Sequence, residues 1–373
     1  MTATVAIVGG GYGGITAAQA LDEDFDVVLI EPKDAFVHNV AALRAVVDPN
    51  WAKWMFFPYD GLLKRGRVVR DRAISVEAHG VRTVSGEWIG ADYIVIATGT
   101  TYPFPAKVYS DHAEAGIARY HRATEALGRA ERVLLLGAGP VGIELAGEIR
   151  STWPDKHITL IEPARDILSG GFIEGFDEDV ADQLRSELRR QLRDLGISLI
   201  LGDSLRHDPP TSTGIKSGFA ASTWGGTSLT ADIWFQCYGR QPVSRVLSRQ
   251  LSGAWRTDGR LSVMPDLRLP GQSRVFAIGD VTRTQALDTA VVAMEQGGFV
   301  AEQIKSLAGG GDPVAYEPSQ PLFLIPLGTG GGASYSPDGG ILDAETTTLY
   351  KGNDLFLTKY CEIFDVPNPL EDS

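Results

Sequence analysis

The sequence predicts a doubly wound α/β fold in which one strand–turn–helix unit is written twice. Three observations carry this: an apolar strand opening on GGGYGG at residues 9–14, a second opening on GAGPVG at 137–142, and an acidic residue, Glu31 or Glu162, closing the following strand of each copy. Parallel strands covered on both faces read as short, nearly continuous apolar runs, and a glycine turn into a helix is the connection they need.

In the first copy Val5-Ala6-Ile7-Val8 is the strand and ITAAQAL, from Ile15, the amphipathic helix. Gly9 allows the tight turn, Gly11 brings bare backbone up to a pyrophosphate and Gly14 lets the helix pack on the strand, with Gly10, Tyr12 and Gly13 completing the loop. The helix N-terminus then faces the phosphate charge. The next strand, Phe25 to Ile30, leads to Glu31, whose carboxylate is placed to accept from both ribose hydroxyls. A lone GxGxxG also marks purely structural turns; strands, helix and terminal acid together predict a dinucleotide site.

The second copy, RVLLLGAGPVGIELAGEI at 132–149, repeats the spacing with Gly137, Gly139 and Gly142, and HITLIE ends at Glu162. One chain therefore carries two dinucleotide sites in two Rossmann-like domains. Glu162 would repel a 2′-phosphate and accept from a free 2′-hydroxyl, which favours NADH; Arg165 beside it keeps NADPH as an alternative. Two further strand-and-turn signals, DYIVIATGT at 92–100 and SRVFAIGDVT at 273–282, place Asp280 at a strand's carboxyl end, the edge where open parallel sheets bind ligands.

The bulk composition narrows the function classes. At 373 residues the chain exceeds what one core usually serves, and a formal charge of −13 without a long basic run argues against nucleic-acid binding. Cys237 and Cys361 lie far apart, so neither a local redox disulfide nor a zinc cluster is expected, no metal is expected, and the simplest compartment is the reducing cytoplasm. No stretch is apolar for long enough to span a bilayer, and Thr2 in place of glycine removes N-myristoylation, which leaves peripheral membrane contact open.

Taken in order, GGGYGG, Ala97-Thr98-Gly99, GAGPVG and Ile278-Gly279-Asp280 resemble the pyridine-nucleotide-disulfide reductase superfamily. FVHNVAALRAVV at 36–47 and KGNDLF at 351–356 are similar to apoptosis-inducing-factor-like, ferroptosis-suppressing NAD(P)H:quinone oxidoreductases, over essentially the whole chain. The resemblance implies FAD in the first cradle, NAD(P)H in the second and a glutathione-reductase-like topology. Its domains would be a discontinuous FAD-binding domain at 1–103 and 239–310, an NAD(P)H-binding domain at 104–238, and a C-terminal segment at 311–373 completing the flavin and acceptor site. It further implies that Arg44 contacts FAD, the backbone near Arg72 meets the adenine and Asp280 holds the ribityl chain, with Gly239 and Ala290 as further cofactor contacts and His38 and Asn39 as weaker candidates. A homodimer is a family-level expectation, and GTGGGASYSPDGG at 328–340 reads as a loop between strands.

The cofactors carry the redox chemistry, so few catalytic side chains are needed. Glu144, two residues after Gly142, is placed on the first turn of its helix to approach the nicotinamide or flavin edge. By the resemblance Lys351 would stabilise negative charge on the flavin or a quinone, and Phe356 would stack on a planar acceptor; read alone, they are a surface lysine and a core aromatic. Without paired thiols disulfide reduction is excluded as the main activity, leaving electron transfer to a quinone or similar small-molecule acceptor. The alternatives are a biosynthetic flavin oxidoreductase acting on a pathway intermediate and a non-enzymatic FAD/NADH-binding redox-signalling protein. One departure bears on the acceptor: Asp288 stands where the relatives often carry a basic residue.

Overall fold

A computed structural model describes residues 2–169, 176–209, 218–284 and 287–371. The apolar runs form two parallel sheets. The first has the order Val275–Ala277, Tyr93–Ile96, Thr4–Val8, Asp26–Ile30, Arg67–Val69, so chain from both sides of the second glycine motif builds one sheet. The second has the order Ser198–Leu201, His157–Glu162, Arg132–Leu136, Ile233–Gln236. Where the chain passes between the sheets, Thr100–Thr101 pairs antiparallel with Gln241–Pro242. Residues 4–8 and 93–96, and 132–136 in the second sheet, are almost wholly buried, as strands covered on both faces must be.

The first glycine-motif helix, Tyr12–Leu21, packs against the long helix Ala290–Ala308 at a glycine-on-glycine crossing. A Cβ on Gly13 would stand 2.7 Å from the Ala293 carbonyl oxygen, and one on Gly297 2.5 Å from that of Gly13. Only glycine permits this approach, and it brings the start of Ala290–Ala308, capped by Thr289, beside the first cradle.

The segment 328–340, expected as a loop, carries a strand at 332–336 between two turns. Phe323–Pro326, Gly332–Ser336 and Gly340–Leu342 form an antiparallel meander, with Gly328 (φ +69°) and Gly340 (φ +64°) supplying left-handed turn positions. Its order comes from outside itself: the Gln191 amide donates to the Gly332 carbonyl at 2.8 Å and accepts from its N–H at 2.7 Å. Gly328 also lies so close to the helix Pro140–Thr152 that a Cβ on Gly147 would meet its nitrogen at 2.4 Å. Among the described residues no helix is long and apolar enough to cross a membrane.

Candidate flavin and nicotinamide site

The two glycine turns close in the same way. Gly9 and Gly137 take φ +107° and +104°, and a Cβ on Gly14 or Gly142 would stand 1.9 or 2.0 Å from the carbonyl oxygen of its partner glycine. Gly11 and Gly139, by contrast, have no atom within 4 Å of the position a Cβ would occupy, which leaves open backbone where a pyrophosphate would approach. The terminal acids also match. Glu31 accepts from the N–H of Gly10 at 2.7 Å and of Lys33 at 3.1 Å; Glu162 accepts from the N–H of Ala138 at 2.9 Å and of Ala164 at 3.1 Å. Each carboxylate thus fastens its glycine loop to its strand end, a role that motif reading alone does not reveal. The Lys33 ammonium joins Glu31 at 2.8 Å and the Ser169 hydroxyl joins Glu162 at 3.1 Å.

A cavity of ≈ 880 Å³ begins at Gly9, Gly11, Tyr12, Gly13 and Glu31 and passes Arg72, Ala97, Thr98, Gly99, Asp280 and Ala290. It ends between Glu144 of the second glycine-motif helix and Lys351 and Phe356 of the C-terminal segment. Residues spread over the chain therefore line one cavity. Gly10 and Gly14 stand behind this lining as turn-closing residues, while Gly137, Gly139, Gly142 and Glu162 form the second cradle outside it. Arg72 lines the cavity with its guanidinium drawn to Asp111 at 2.8 Å. Gly239 is not in the lining; at φ +98° it turns the chain on its return towards Gln241–Pro242.

Arg44, for which the resemblance implies an FAD contact, is also absent from the lining. Its guanidinium is engaged elsewhere: Nε and Nη2 donate to Glu148 at 3.1 and 2.8 Å, and Nη1 donates to the Asn353 carbonyl at 3.0 Å. A buried arginine needs such partners, and an acid on the neighbouring helix supplies them.

Asp280 accepts from the Thr100 hydroxyl at 2.9 Å, and Lys107 donates to the Thr100 carbonyl at 2.7 Å. Burial lowers the Lys107 ammonium's pKa, and Asp280 opposes the shift. Lys107 lines the cavity but belongs to no motif, so nothing in the sequence distinguished it. Asp288 is not a bare negative charge: it pairs with Arg240 at 2.7 Å and Arg260 at 2.6 Å, so the departure from the relatives' basic residue comes with two cations beside it.

Glu144 is the fifth residue of the helix Pro140–Thr152, just past the first turn on which it was expected. Lys351, carried by the π-helical turn Thr348–Gly352, donates to its two oxygens at 2.8 and 3.0 Å and to the Leu324 carbonyl at 3.3 Å. Lys351 is thus a buried partner rather than a surface lysine, its side chain 14% exposed. Desolvation raises the Glu144 pKa, Lys351 works against that, and neighbouring Glu148 adds to it.

Behind Phe356 lies a hydrogen-bond chain that sequence reading missed. The Val40 N–H donates to the Tyr12 hydroxyl at 3.1 Å, the hydroxyl meets His38 Nδ1 at 3.1 Å, and His38 Nε2 meets the Leu355 carbonyl at 2.7 Å. With the Tyr12 oxygen already accepting, its proton goes to Nδ1, and Nε2 carries the proton donated to Leu355. Leu355 (φ +49°) and Phe356 (φ +64°) are both left-handed, and this bond holds that strained pair. Burial lowers His38 from 6.5 to about 4.

A depressed base contributes stability that is present above its unfolded pKa and is lost as pH falls through the folded one. We therefore expect roughly 2 kcal/mol to be lost between pH 7 and 5 on account of His38. Thermal melts of wild type and His38→Gln check this; the same pH slope in both would contradict it.

The comparisons agree with this geometry. The family model described as pyridine nucleotide-disulphide oxidoreductase matches residues 3–297. Apoptosis-inducing factor homolog B of Dictyostelium discoideum is 28% identical, covering 98% of both chains, and human ferroptosis suppressor protein 1 is 29% identical over 95% of this chain and 94% of its own. The sulfide:quinone oxidoreductase of Aquifex aeolicus shares the fold at a TM-score of 0.74 and 17% identity, over 99% of this chain and 94% of that one. The chain, similar over nearly its whole length to the apoptosis-inducing factor homologues and ferroptosis suppressor proteins, belongs to the pyridine nucleotide-disulphide oxidoreductase family, with FAD and NAD(P)H as its cofactors.

Proposed function

We propose that the chain is an FAD-dependent NAD(P)H:quinone oxidoreductase that works without a cysteine relay. The observation that carries this reading is the single cavity shared by the first cradle, the second glycine-motif helix and the C-terminal segment. FAD, when bound, relays two electrons between the nicotinamide and the acceptor. The protein's part is to hold them in line, keep water out and balance charge. Gly11 and Glu31 hold the adenosine side, Asp280 with Thr100 and Lys107 the middle, and Glu144 with Lys351 the far end, where Phe323, Leu324, Met294 and Phe356 form an apolar wall suited to a planar acceptor. The domain division at 103/104, 238/239 and 310/311 belongs to the same reading.

Both cysteines support it. Cys237 and Cys361 are buried and outside the cavity lining, and burial pushes the Cys237 thiol up to about 12. A relay thiol needs a reachable thiolate. Cys237→Ala/Cys361→Ala is expected to keep acceptor-dependent turnover; its loss in a folded, flavin-loaded double variant would reinstate a thiol step. The preference for NADH is carried by Glu162, fixed by two backbone N–H groups and Ser169, with Arg165 exposed.

The test is anaerobic stopped-flow absorbance with NADH and NADPH separately, followed by a second mix with a panel of quinones and with oxygen. Bleaching of the flavin band and fast reoxidation by a quinone is the expected result. A flavin that neither nucleotide reduces overturns the reading and moves attention to a small-molecule substrate or a binding role.

A further inference from the structure

The Glu144–Lys351 pair joins two parts of the chain that no local structure holds in register, a helix of the second sheet's domain and a turn of the C-terminal segment. One side chain touches the neighbourhood of both. Glu148, which Arg44 grips through two donors, lies one helical turn after Glu144, and Asn353, whose carbonyl accepts from the same guanidinium, lies two residues after Lys351. We infer that Arg44 is the positioning residue of the Glu144–Lys351 pair, holding its acid half through Glu148 and its lysine half through the Asn353 carbonyl. The inference rests on the proposed function for its kinetic consequence, and on geometry alone for its structural one.

The chemistry suits arginine in particular. A planar fork sets two directions at once, towards a carboxylate and towards a carbonyl, which an ammonium on a flexible stem does not. The guanidinium is clamped on a third side by the Trp51 ring, 5.3 Å away. Arg44 and Glu148 are each 6% exposed at the side chain, so neither swings in solvent. Charge gives a second reason. Glu144 and Glu148 are two acids on one helix face, and Lys351 and Arg44 are the cations beside them; losing any one of the four leaves the group charged, whereas losing a whole pair does not. Stability alone does not require the Arg44–Glu148 pair, because apolar side chains of similar volume commonly replace a buried ion pair without loss. What apolar side chains cannot replace is the fixed distance between helix and turn.

That difference supplies the test. Arg44→Met/Glu148→Met removes both charges together and leaves no orphaned ion, so the variant is expected to fold and to bind FAD at wild-type stoichiometry. Arg44→Lys keeps the charge and loses the fork. In both, the limiting rate of flavin reduction by NAD(P)H is expected to fall on the order of tenfold, with the nucleotide concentration giving half the limiting rate changing much less. Independently of turnover, the chemical shift of ¹³C-methylated Lys351, assigned with Lys351→Arg, is expected to move towards that of a solvent-exposed lysine in the double-methionine variant. A wild-type limiting rate together with an unmoved Lys351 resonance overturns the inference. Should wild type itself not be reduced by either nucleotide, the proposed function fails and the resonance decides alone: moved, Arg44 positions the pair; unmoved, it does not.

Discussion

Gly142→Ala is expected to leave FAD bound and to abolish its reduction by NAD(P)H, whereas Gly14→Ala is expected to yield a protein that no longer retains flavin. The two positions are equivalent, and the obstruction is of the same kind at each. The added methyl would stand 1.9 Å from the Gly9 carbonyl oxygen in one cradle and 2.0 Å from that of Gly137 in the other, with backbone rather than a flexible side chain in the way. Overpacking of a close contact costs about 1–3 kcal/mol in stability, which a protein of this size survives. Function is less forgiving, because the helix must retreat from its strand by about 1 Å, and displacement on that scale can cost about 100-fold in rate. Flavin-to-protein absorbance ratios and anaerobic reduction kinetics on the two variants check it. Normal reduction in Gly142→Ala, or full flavin in Gly14→Ala, would contradict the assignment of the cradles.

The second large effect is expected at Lys351. Replacing it with methionine leaves Glu144 buried beside Glu148 with Arg44 as the remaining cation, and breaking a buried pair in this way costs roughly 3–5 kcal/mol unless the stranded acid takes up a proton. The sign with pH follows from the direction of the shift. Glu144's pKa is already raised by burial, and losing the cation raises it further. A carboxyl with a raised folded pKa is harmless at low pH, where it is protonated folded and unfolded alike, and its penalty appears as pH rises through the folded value. The difference in Tm between wild type and Lys351→Met should therefore widen from pH 5 to pH 8. Glu144→Gln/Lys351→Met should recover most of that stability while reduction by NAD(P)H stays slow by at least about tenfold, since the charge pair at the cavity end is gone in both. A Tm difference independent of pH would show that Glu144 stays ionised regardless; wild-type reduction rates would remove the pair from the site.

How far the site could be read before the structure depended on whether its parts are local in sequence. The glycine turns, the acids at Glu31 and Glu162 and the strand ends were legible because turn chemistry and period act over a few residues; the second strand begins at Asp26 rather than Phe25, a difference of one position. Asp280 was legible as an acid at a strand end. Lys351 was not legible as a buried ion partner, because burial is set by the helix Pro140–Thr152 some two hundred residues earlier, and its own surroundings in the sequence are polar. The partners of Arg44 were hidden for the same reason. The family string around it placed it near a cofactor, whereas its partners Glu148 and Asn353 come from distant segments that only the fold brings together. The meander after Gly328 was masked by its glycines, whose flexibility is overruled by the Gln191 amide and by the helix beneath.

The contact of Gly147 with Gly328 bears on how this architecture can be recombined. A Cβ on Gly328 would stand 2.0 Å from the Ser151 hydroxyl, and one on Gly147 would strike Leu327 and Gly328 backbone, so helix and meander interlock with no room for a foreign side chain on either surface. Grafting a C-terminal segment from another oxidoreductase onto this chain, as a route to a new acceptor, therefore succeeds only if the graft carries its own version of residues 140–152; the two pieces are inherited as one part, although 170 residues of chain lie between them.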